Sequence, residues 1–216
     1  MIEFIMPIYQ HIKTLNESDI YIWKIEEPAT FFLNEVSWEE RQINWLDTIH
    51  PSKRLEYLAS RFLIFHIAGI LDSHLYKNEA GKIYLKSKQQ HISISHSSNF
   101  TAVALSKKTI GFDLQCYSEK IFRVAQRFLS RHESAALKSF ETIQSLSCAW
   151  TVKEAVYKAY GQKGIHFDKQ ITIDVIAPKD GIQKTNARLI NNQIETHYEI
   201  YSQIHSDFCW SLAQEV

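Results

Sequence analysis

The sequence is poor in cysteine, proline and glycine. Among 216 residues there are three Cys, four Pro and six Gly. Because the cysteines lie far apart and form no CxxC pair, we expect reduced thiols rather than a disulfide framework or a zinc site. The scarcity of Pro and Gly excludes collagen-like and low-complexity architectures and argues against long disordered linkers.

The chain also has no excess of charge and no long apolar run. It contains 24 Lys and Arg and 24 Asp and Glu, so its formal net charge is zero. Such a chain is not a general binder of nucleic acid or membrane surfaces, and any bound anion must be held by a local cluster. The longest apolar run, 62–71, is about half the length of a membrane-spanning helix. Since residues 1–7 also lack the basic segment of a secretory leader, we expect a cytoplasmic protein.

Hydrophobic periodicity predicts a mixture of helices and strands. Helices are predicted at 37–45, 53–71, 119–129, 131–140 and 142–160. Strands are predicted at 19–25, 82–85, 91–95, 100–106, 109–114, 171–177, 194–204 and 208–213, the last two as a candidate hairpin. Lys107 and Lys108 predict a tight turn between two of these strands. The irregular alternation favours an α+β fold over a doubly wound sheet, with subdomains 1–106 and 107–216.

Two short segments carry oxygen ligands or charged groups at spacings that place them side by side. Asp113 and Gln115 share one face of a strand, and Gly111 beside them allows close backbone approach. Two oxygen donors there suit Mg²⁺, although a solvated strand face is the alternative. Glu154 and Lys158 lie one helical turn apart and can touch, either as functional groups or as an ordinary surface ion pair.

The surroundings of these groups refine the interpretation. Trp150 precedes Glu154 by one helical turn, a position from which its ring can desolvate the carboxylate and raise its pKa. His96 follows an alternating strand within S-H-S, where it is either a functional group or a satisfied polar side chain. The G-x-S-x-G nucleophile motif is absent, so a serine hydrolase has little support.

Taken in order, four motifs resemble the 4′-phosphopantetheinyl transferases of the Sfp-like group. They are I-S-H-S at 94–97, G-F-D-L-Q at 111–115, R-F-L-S-x-x-E at 127–133 and W-x-x-K-E-A-x-x-K-A at 150–159. The resemblance implies transfer of 4′-phosphopantetheine from coenzyme A to a serine of an apo acyl or peptidyl carrier protein, with Mg²⁺, releasing 3′,5′-ADP. It also implies a monomer built from two similar α/β halves in pseudo-twofold relation, with a ligand cleft between them.

The resemblance implies a role for each matching residue. Mg²⁺ would be held by Asp113, Gln115 and Glu154. The catalytic residues would be Glu154, Lys158 and His96, with Glu154 or a water that it holds taking the serine proton. Coenzyme A would be bound by Lys53, Arg54, Arg61, Lys82, Ser95, His96 and Lys158, although a solvated helix end is the alternative for the first three. Gln115 stands where many relatives have an acid, and Ile83 follows Lys82 where proline is usual.

Three further expectations follow. Arg123, Arg127 and Arg131 are spaced four apart, and we expect one helical stripe that steers an acidic carrier or merely solvates the surface. A non-catalytic relative that binds coenzyme A or a carrier remains an alternative, favoured only by Gln115. A Mg²⁺-dependent phosphohydrolase that uses Asp113 and Glu154 is the other.

Overall fold

The computed structural model describes residues 8–14, 17–87, 89–175, 177 and 179–216. Residues 1–7, on which the expectation of no leader rests, lie outside this set, as do positions 176 and 178 around the end of the predicted strand 171–177. The helices are α1 (Ala29–Glu35), α2 (Glu40–Leu46), α3 (Pro51–Ala68), α4 (Lys120–Phe128), α5 (Arg131–Leu137), α6 (Ile143–Tyr160) and α7 (Phe167–Gln170). Within the described ranges, no helix combines the length and apolar character needed to span a bilayer.

The strands form two larger antiparallel sheets and one small hairpin. They are β1 (Gln10–Lys13), β2 (Asp19–Lys24), β3 (Leu75–Lys77), β4 (Ile83–Leu85), β5 (His91–Ser97), β6 (Phe100–Ser106), β7 (Ile110–Cys116), β8 (Ile171–Ile173), β9 (Gln183–Asn191), β10 (Ile194–Ile204) and β11 (Phe208–Glu215). The first sheet has the order β1-β2-β6-β5, the second β7-β11-β10-β9-β8, and β3 pairs with β4. The predicted α+β class and the hairpin of β10 and β11 are confirmed.

The chain passes from one sheet to the other between β6 and β7. The tight turn predicted at Lys107 and Lys108 therefore does not form a hairpin, because β6 pairs with β2 and β5 whereas β7 pairs with β11. The local sequence signals a reversal but does not encode the partner of each strand. The division into subdomains 1–106 and 107–216, and their pseudo-twofold relation, stay predictions.

Helix α3 covers one face of the first sheet. It begins after His50, which accepts a hydrogen bond from the Ser52 amide, and it ends at Gly69 in the left-handed conformation (φ 64°). These caps place the helix at 51–68, so it both begins and ends slightly before the predicted range 53–71. Phe62 packs against Trp23 in a T-shaped contact at 5.5 Å between ring centroids, which fixes the helix on the sheet.

Helix α6 covers one face of the second sheet. Thr142 caps its first turn and Gly161 its last (φ 69°), so the helix agrees closely with the predicted range 142–160. Gly111 of β7 lies directly beneath it, where an added Cβ would collide with the backbone of Ala155 and Ala159. The glycine thereby lets β7 approach α6 closely enough to bring their side chains into one site.

The two sheets meet through an apolar layer and a polar seam. The layer includes Ile22 and Ala102 from the first sheet and Trp210 and Leu212 from the second, all buried. The seam joins β5 to β7 through a serine ladder, which consists of Ser93, Ser95 and Ser97. Their hydroxyls accept hydrogen bonds from the backbone amides of Phe112, Leu114 and Cys116 at 2.8, 3.1 and 3.0 Å.

Candidate active site

A cleft of about 700 Å³ is lined by elements of both sheets. Helix α3 contributes one wall, and β7 with α6 contributes another, while the end of β5 lies at the seam between them. Its polar and aromatic lining includes Lys53, Glu56, Tyr57, Arg61, Ser95, His96, Asp113, Gln115, Trp150, Glu154 and Lys158. Its size is that of a small-molecule binding site.

The three predicted Mg²⁺ ligands all line this cleft. Asp113 and Gln115 extend from alternate positions of β7, and Glu154 extends from α6 above Gly111. The Asp113 carboxylate is buried and accepts hydrogen bonds at Oδ1 from Ser95 Oγ at 2.8 Å and Lys158 Nζ at 2.7 Å. The sequence separation between β7 and α6 is therefore bridged by close packing of strand and helix.

Glu154 carries a strongly perturbed carboxyl group. Burial raises its pKa to about 7, the charge of Asp113 adds to the rise, and Lys158 partly opposes it. The direction agrees with the desolvation expected beside Trp150, whose ring packs against Phe128 and Phe167. The Glu154 carboxylate makes no hydrogen bond or ion pair within the described chain, so it is free to accept a proton or a cation.

Lys158 does not form the predicted pair with Glu154. Its ammonium lies 2.7 Å from Asp113 Oδ1 and also donates to Ser95 Oγ and to the carbonyl oxygens of Ile94 and Phe112. Tertiary contacts to four oxygens prevail over the one-turn helical pair, which is worth only a few tenths of a kcal/mol. The lysine consequently holds β5, β7 and α6 together at the cleft.

Lys53 on α3 and His96 at the end of β5 share one carboxylate. His96 Nδ1 is 3.0 Å from Oε2 of Glu56, and Lys53 Nζ is 2.7 Å from the same oxygen. Burial lowers the pKa of His96, with Glu56 acting against that shift. Glu56 was not among the predicted residues, although its spacing of three from Lys53 on one helix was a readable signal.

The remaining predicted coenzyme A contacts are distributed unevenly. Arg61 lines the cleft, stacked over Tyr57 and paired with Asp72. Arg54 is absent from the lining residues, and its guanidinium pairs with Asp47 at 2.6 Å. Ser95 lines the cleft but is buried, and its hydroxyl is engaged by Leu114, Asp113 and Lys158.

Lys82 is not among the lining residues of the cleft, although its neighbours Gly81 and Ile83 are. Its ammonium donates to the carbonyl oxygen of Ala159, and Asn78 Nδ2 donates to the Gly161 carbonyl at 2.8 Å. These bonds satisfy the free carbonyls at the end of α6 and tie that helix to the β3–β4 hairpin. Burial lowers the pKa of Lys82 to about 8. Its position favours a structural role over contact with the nucleotide.

The donor set fits a hard divalent cation. No cluster of three or more His, Cys, Asp or Glu suited to a metal occurs among the described residues. The cleft instead offers two carboxylates, Asp113 and Glu154, and the amide of Gln115. Repulsion between the two carboxylates contributes to the raised pKa of Glu154, and a cation shared by them would relieve it.

Gln115 offers a direct test of this donor set. Exchanging it for glutamate should leave Mg²⁺ affinity unchanged or raise it several-fold, because a carboxylate replaces a neutral amide oxygen. Titration calorimetry with Mg²⁺ measures the effect, and Gln126→Glu on the exposed face of α4 is the matched control. Since the Gln115 amide also donates to the Cys116 carbonyl, thermal unfolding of both variants must accompany the titration. Weaker Mg²⁺ binding with unchanged stability would place Gln115 away from the ion.

The part of the chain that carries these residues is similar to known proteins. A family model described as the 4′-phosphopantetheinyl transferase superfamily matches residues 109–213, a range that includes Asp113, Glu154 and Lys158. The chain is 28% identical over 164 residues to the 4′-phosphopantetheinyl transferase gsp of Aneurinibacillus migulanus. That alignment covers 72% of this chain, which spans 65% of the relative's own length.

Proposed function

Because this chain belongs to the 4′-phosphopantetheinyl transferase superfamily, we propose that it transfers 4′-phosphopantetheine from coenzyme A to a serine of an apo acyl or peptidyl carrier protein. The supporting observation is that Asp113 and Glu154, from different elements, line one cleft with Lys158 bound to Asp113. The protein would act as a cytoplasmic monomer.

The reaction is a displacement at phosphorus. The carrier serine oxygen forms a bond to the phosphorus that bears the pantetheine arm, and the bond from that phosphorus to the bridging oxygen breaks. The electron pair leaves with 3′,5′-ADP. Lys158, held by Asp113 and by three further oxygens, supplies a fixed positive charge where the phosphates gain negative charge. Mg²⁺ held by Asp113, Glu154 and Gln115 would supply further positive charge to the pyrophosphate oxygens.

Glu154 is suited to receive the serine proton. Without a cation its pKa is about 7, near neutral pH, where a general base works best, and no protein group occupies its carboxylate within the described chain. Mg²⁺ bound at the carboxylate would lower this pKa, which favours the route through a water. Glu154, or a water that it holds, therefore takes the proton as the serine attacks. Lys53 on α3 and His96 on β5 would bind phosphate groups of coenzyme A.

One assay separates this function from its alternatives. Apo carrier protein is incubated with the chain, coenzyme A and Mg²⁺ and is then weighed by mass spectrometry. A gain of one phosphopantetheine supports the proposal, and EDTA should prevent it. An unmodified carrier together with tight coenzyme A binding would indicate a non-catalytic relative. Breakdown of coenzyme A without any carrier would indicate a phosphohydrolase.

The predicted arginine stripe is shorter than expected. Arg123 and Arg127 lie on α4, but Arg131 is the first residue of α5, so the three do not share one helix. The chain turns after Phe128, because Ser130 caps a new helix. Arg127 lines an apolar pocket next to Trp150, which also lines the cleft. This proximity supports the proposal that Arg123 and Arg127 guide an acidic carrier toward Glu154.

Charge reversal tests this docking role. Changing Arg123 and Arg127 to glutamate should raise the KM for the carrier by about tenfold and weaken its salt dependence, because electrostatic attraction is lost. The KM for coenzyme A should not change. The matched control changes Lys107 and Lys108, which are exposed on the loop between the sheets, to glutamate. Unaltered salt dependence of the carrier KM would contradict the role.

A further inference from the structure

Glu56 is an acidic residue in a cleft proposed to bind phosphates. Its side chain extends from α3, is only 13% exposed, and lines the cleft with Lys53 and His96. A carboxylate beside a phosphate site should repel the ligand and weaken its binding. Its presence there therefore requires a compensating role.

The contacts of Glu56 supply that role. Its Oε2 atom lies 2.7 Å from Lys53 Nζ and 3.0 Å from His96 Nδ1, so a single oxygen bridges α3 and β5. Lys53 is otherwise a long surface side chain, 60% exposed, whose ammonium would sample many positions. Holding it in one place reduces the entropy lost when a ligand binds.

His96 gains orientation from the same oxygen. When its Nδ1–H donates to the Glu56 carboxylate, the ring is fixed and Nε2 is left as the nitrogen free for a ligand. A nearby carboxylate also favours the protonated ring, in which Nε2 becomes a donor to phosphate oxygens. Asp113 on the far wall acts in the same sense, while Lys53 and Lys158 oppose it.

We propose that Glu56 is a positioning residue that holds Lys53 and His96 ready to receive a phosphate group of coenzyme A. The inference rests on the proposed function, because it takes coenzyme A as the ligand of this cleft. Glu56 itself does not contact the phosphate. It acts through its two partners.

The direction in which Glu56→Gln changes the affinity for coenzyme A tests the proposal. If Glu56 acted only as a negative charge, Glu56→Gln would tighten coenzyme A binding. If it positions Lys53 and His96, Glu56→Ala should weaken binding by about tenfold and Glu56→Gln by less, since the amide oxygen still accepts from His96. Calorimetry without carrier measures the dissociation constant, and kinetics should show a raised KM for coenzyme A with kcat nearly unchanged. Glu79→Gln, on an exposed turn, is the matched control.

Two further readouts separate positioning from a structural role. In a background of Lys53→Ala and His96→Ala, the added Glu56→Ala should cause no further loss of affinity, because its partners are gone. Long-range proton–nitrogen NMR should show a hydrogen on His96 Nδ1 in the parent protein and its loss in Glu56→Ala. A merely structural residue would lower the melting temperature and leave affinity and the ring spectrum unchanged.

The outcomes distinguish this inference from the proposed function. If the parent protein modifies carriers while Glu56→Gln and Glu56→Ala bind coenzyme A as tightly or more tightly, the positioning role is wrong and the transferase stands. If the parent protein neither binds coenzyme A nor modifies a carrier, both proposals fall, and the NMR spectrum still reports whether Glu56 orients His96.

Discussion

Exchanging Glu154 for glutamine should abolish carrier modification and at the same time make the protein more stable at about pH 8. The loss of activity follows because the amide neither accepts the serine proton nor offers a negative charge to Mg²⁺. General bases contribute about a hundredfold or more to rates, so transfer should fall by at least that factor. Asp113→Ala should abolish transfer as well, since it removes the other carboxylate and frees Lys158.

The gain in stability follows from the raised pKa of Glu154. The folded protein holds this proton up to about pH 7, whereas a carboxyl group with the ordinary value of 4.5 loses it earlier. The favourable contribution of the protonated group is therefore complete below about pH 4.5 and is lost as the pH rises through about 7. Above that, the buried charge costs about 3 kcal/mol of unfolding free energy, and a neutral glutamine does not.

Urea unfolding in the presence of EDTA measures this difference. The two proteins should be nearly equally stable at the acidic end of the range, and the advantage of Glu154→Gln should grow until about pH 7. Glu141→Gln, at an exposed position before α6, controls for the loss of a carboxylate. A stability difference that does not change with pH would show that burial does not govern this carboxyl group.

Exchanging Lys153 for methionine should destabilise the protein by about 3 to 5 kcal/mol, because it leaves a buried carboxylate without its partner. Lys153 and Glu133 are both fully buried and lie 2.7 Å apart. The Lys153 ammonium also donates to the carbonyl oxygens of Phe167 and Ile171. Glu133 in turn accepts from the Ile173 amide at 3.0 Å. The pair thus ties α6 to α5, α7 and β8.

Thermal and urea unfolding measure this loss. If Lys153→Met does not fold, Glu133→Gln provides a second measurement, because the amide retains an oxygen that can accept from Lys153. The double variant should recover part of the stability, since it no longer buries an unpaired carboxylate. Lys138→Met, at the end of α5 on the surface, is the matched control. A cost for Lys153→Met below about 1 kcal/mol, the range of a surface pair, would contradict this account.

Local sequence signals predicted the helices that carry the site, and they failed where partners are distant. Thr142 and Gly161 bound α6 through interactions within a few residues, so its ends were readable. The Ser130 and Glu133 capping box likewise bounds α5 through local contacts, whereas the pairing of Glu133 with Lys153 joins two helices. The hydrophobic periodicity of one helix does not show which residues it pairs with on another helix.

The same limit explains the errors at the cleft and in the second sheet. Helical spacing predicts that Lys158 can touch Glu154, whereas β5 and β7 offer it more oxygens. Strand β9 was missed because Gln183–Asn191 is mostly polar, and only Ala187 and Leu189 are buried. A strand held by its neighbours on both sides needs few apolar residues of its own.

The serine ladder has a consequence for how the molecule avoids unwanted association. A strand at the margin of a sheet exposes amides that can recruit another polypeptide and start aggregation. On β7 those amides are occupied by hydroxyls rather than by a neighbouring backbone. The β7 amides are thereby satisfied without extending the sheet, and the pairing of backbone groups ends at β7. The discontinuity protects the margin and leaves open the space in which Asp113 meets Lys158.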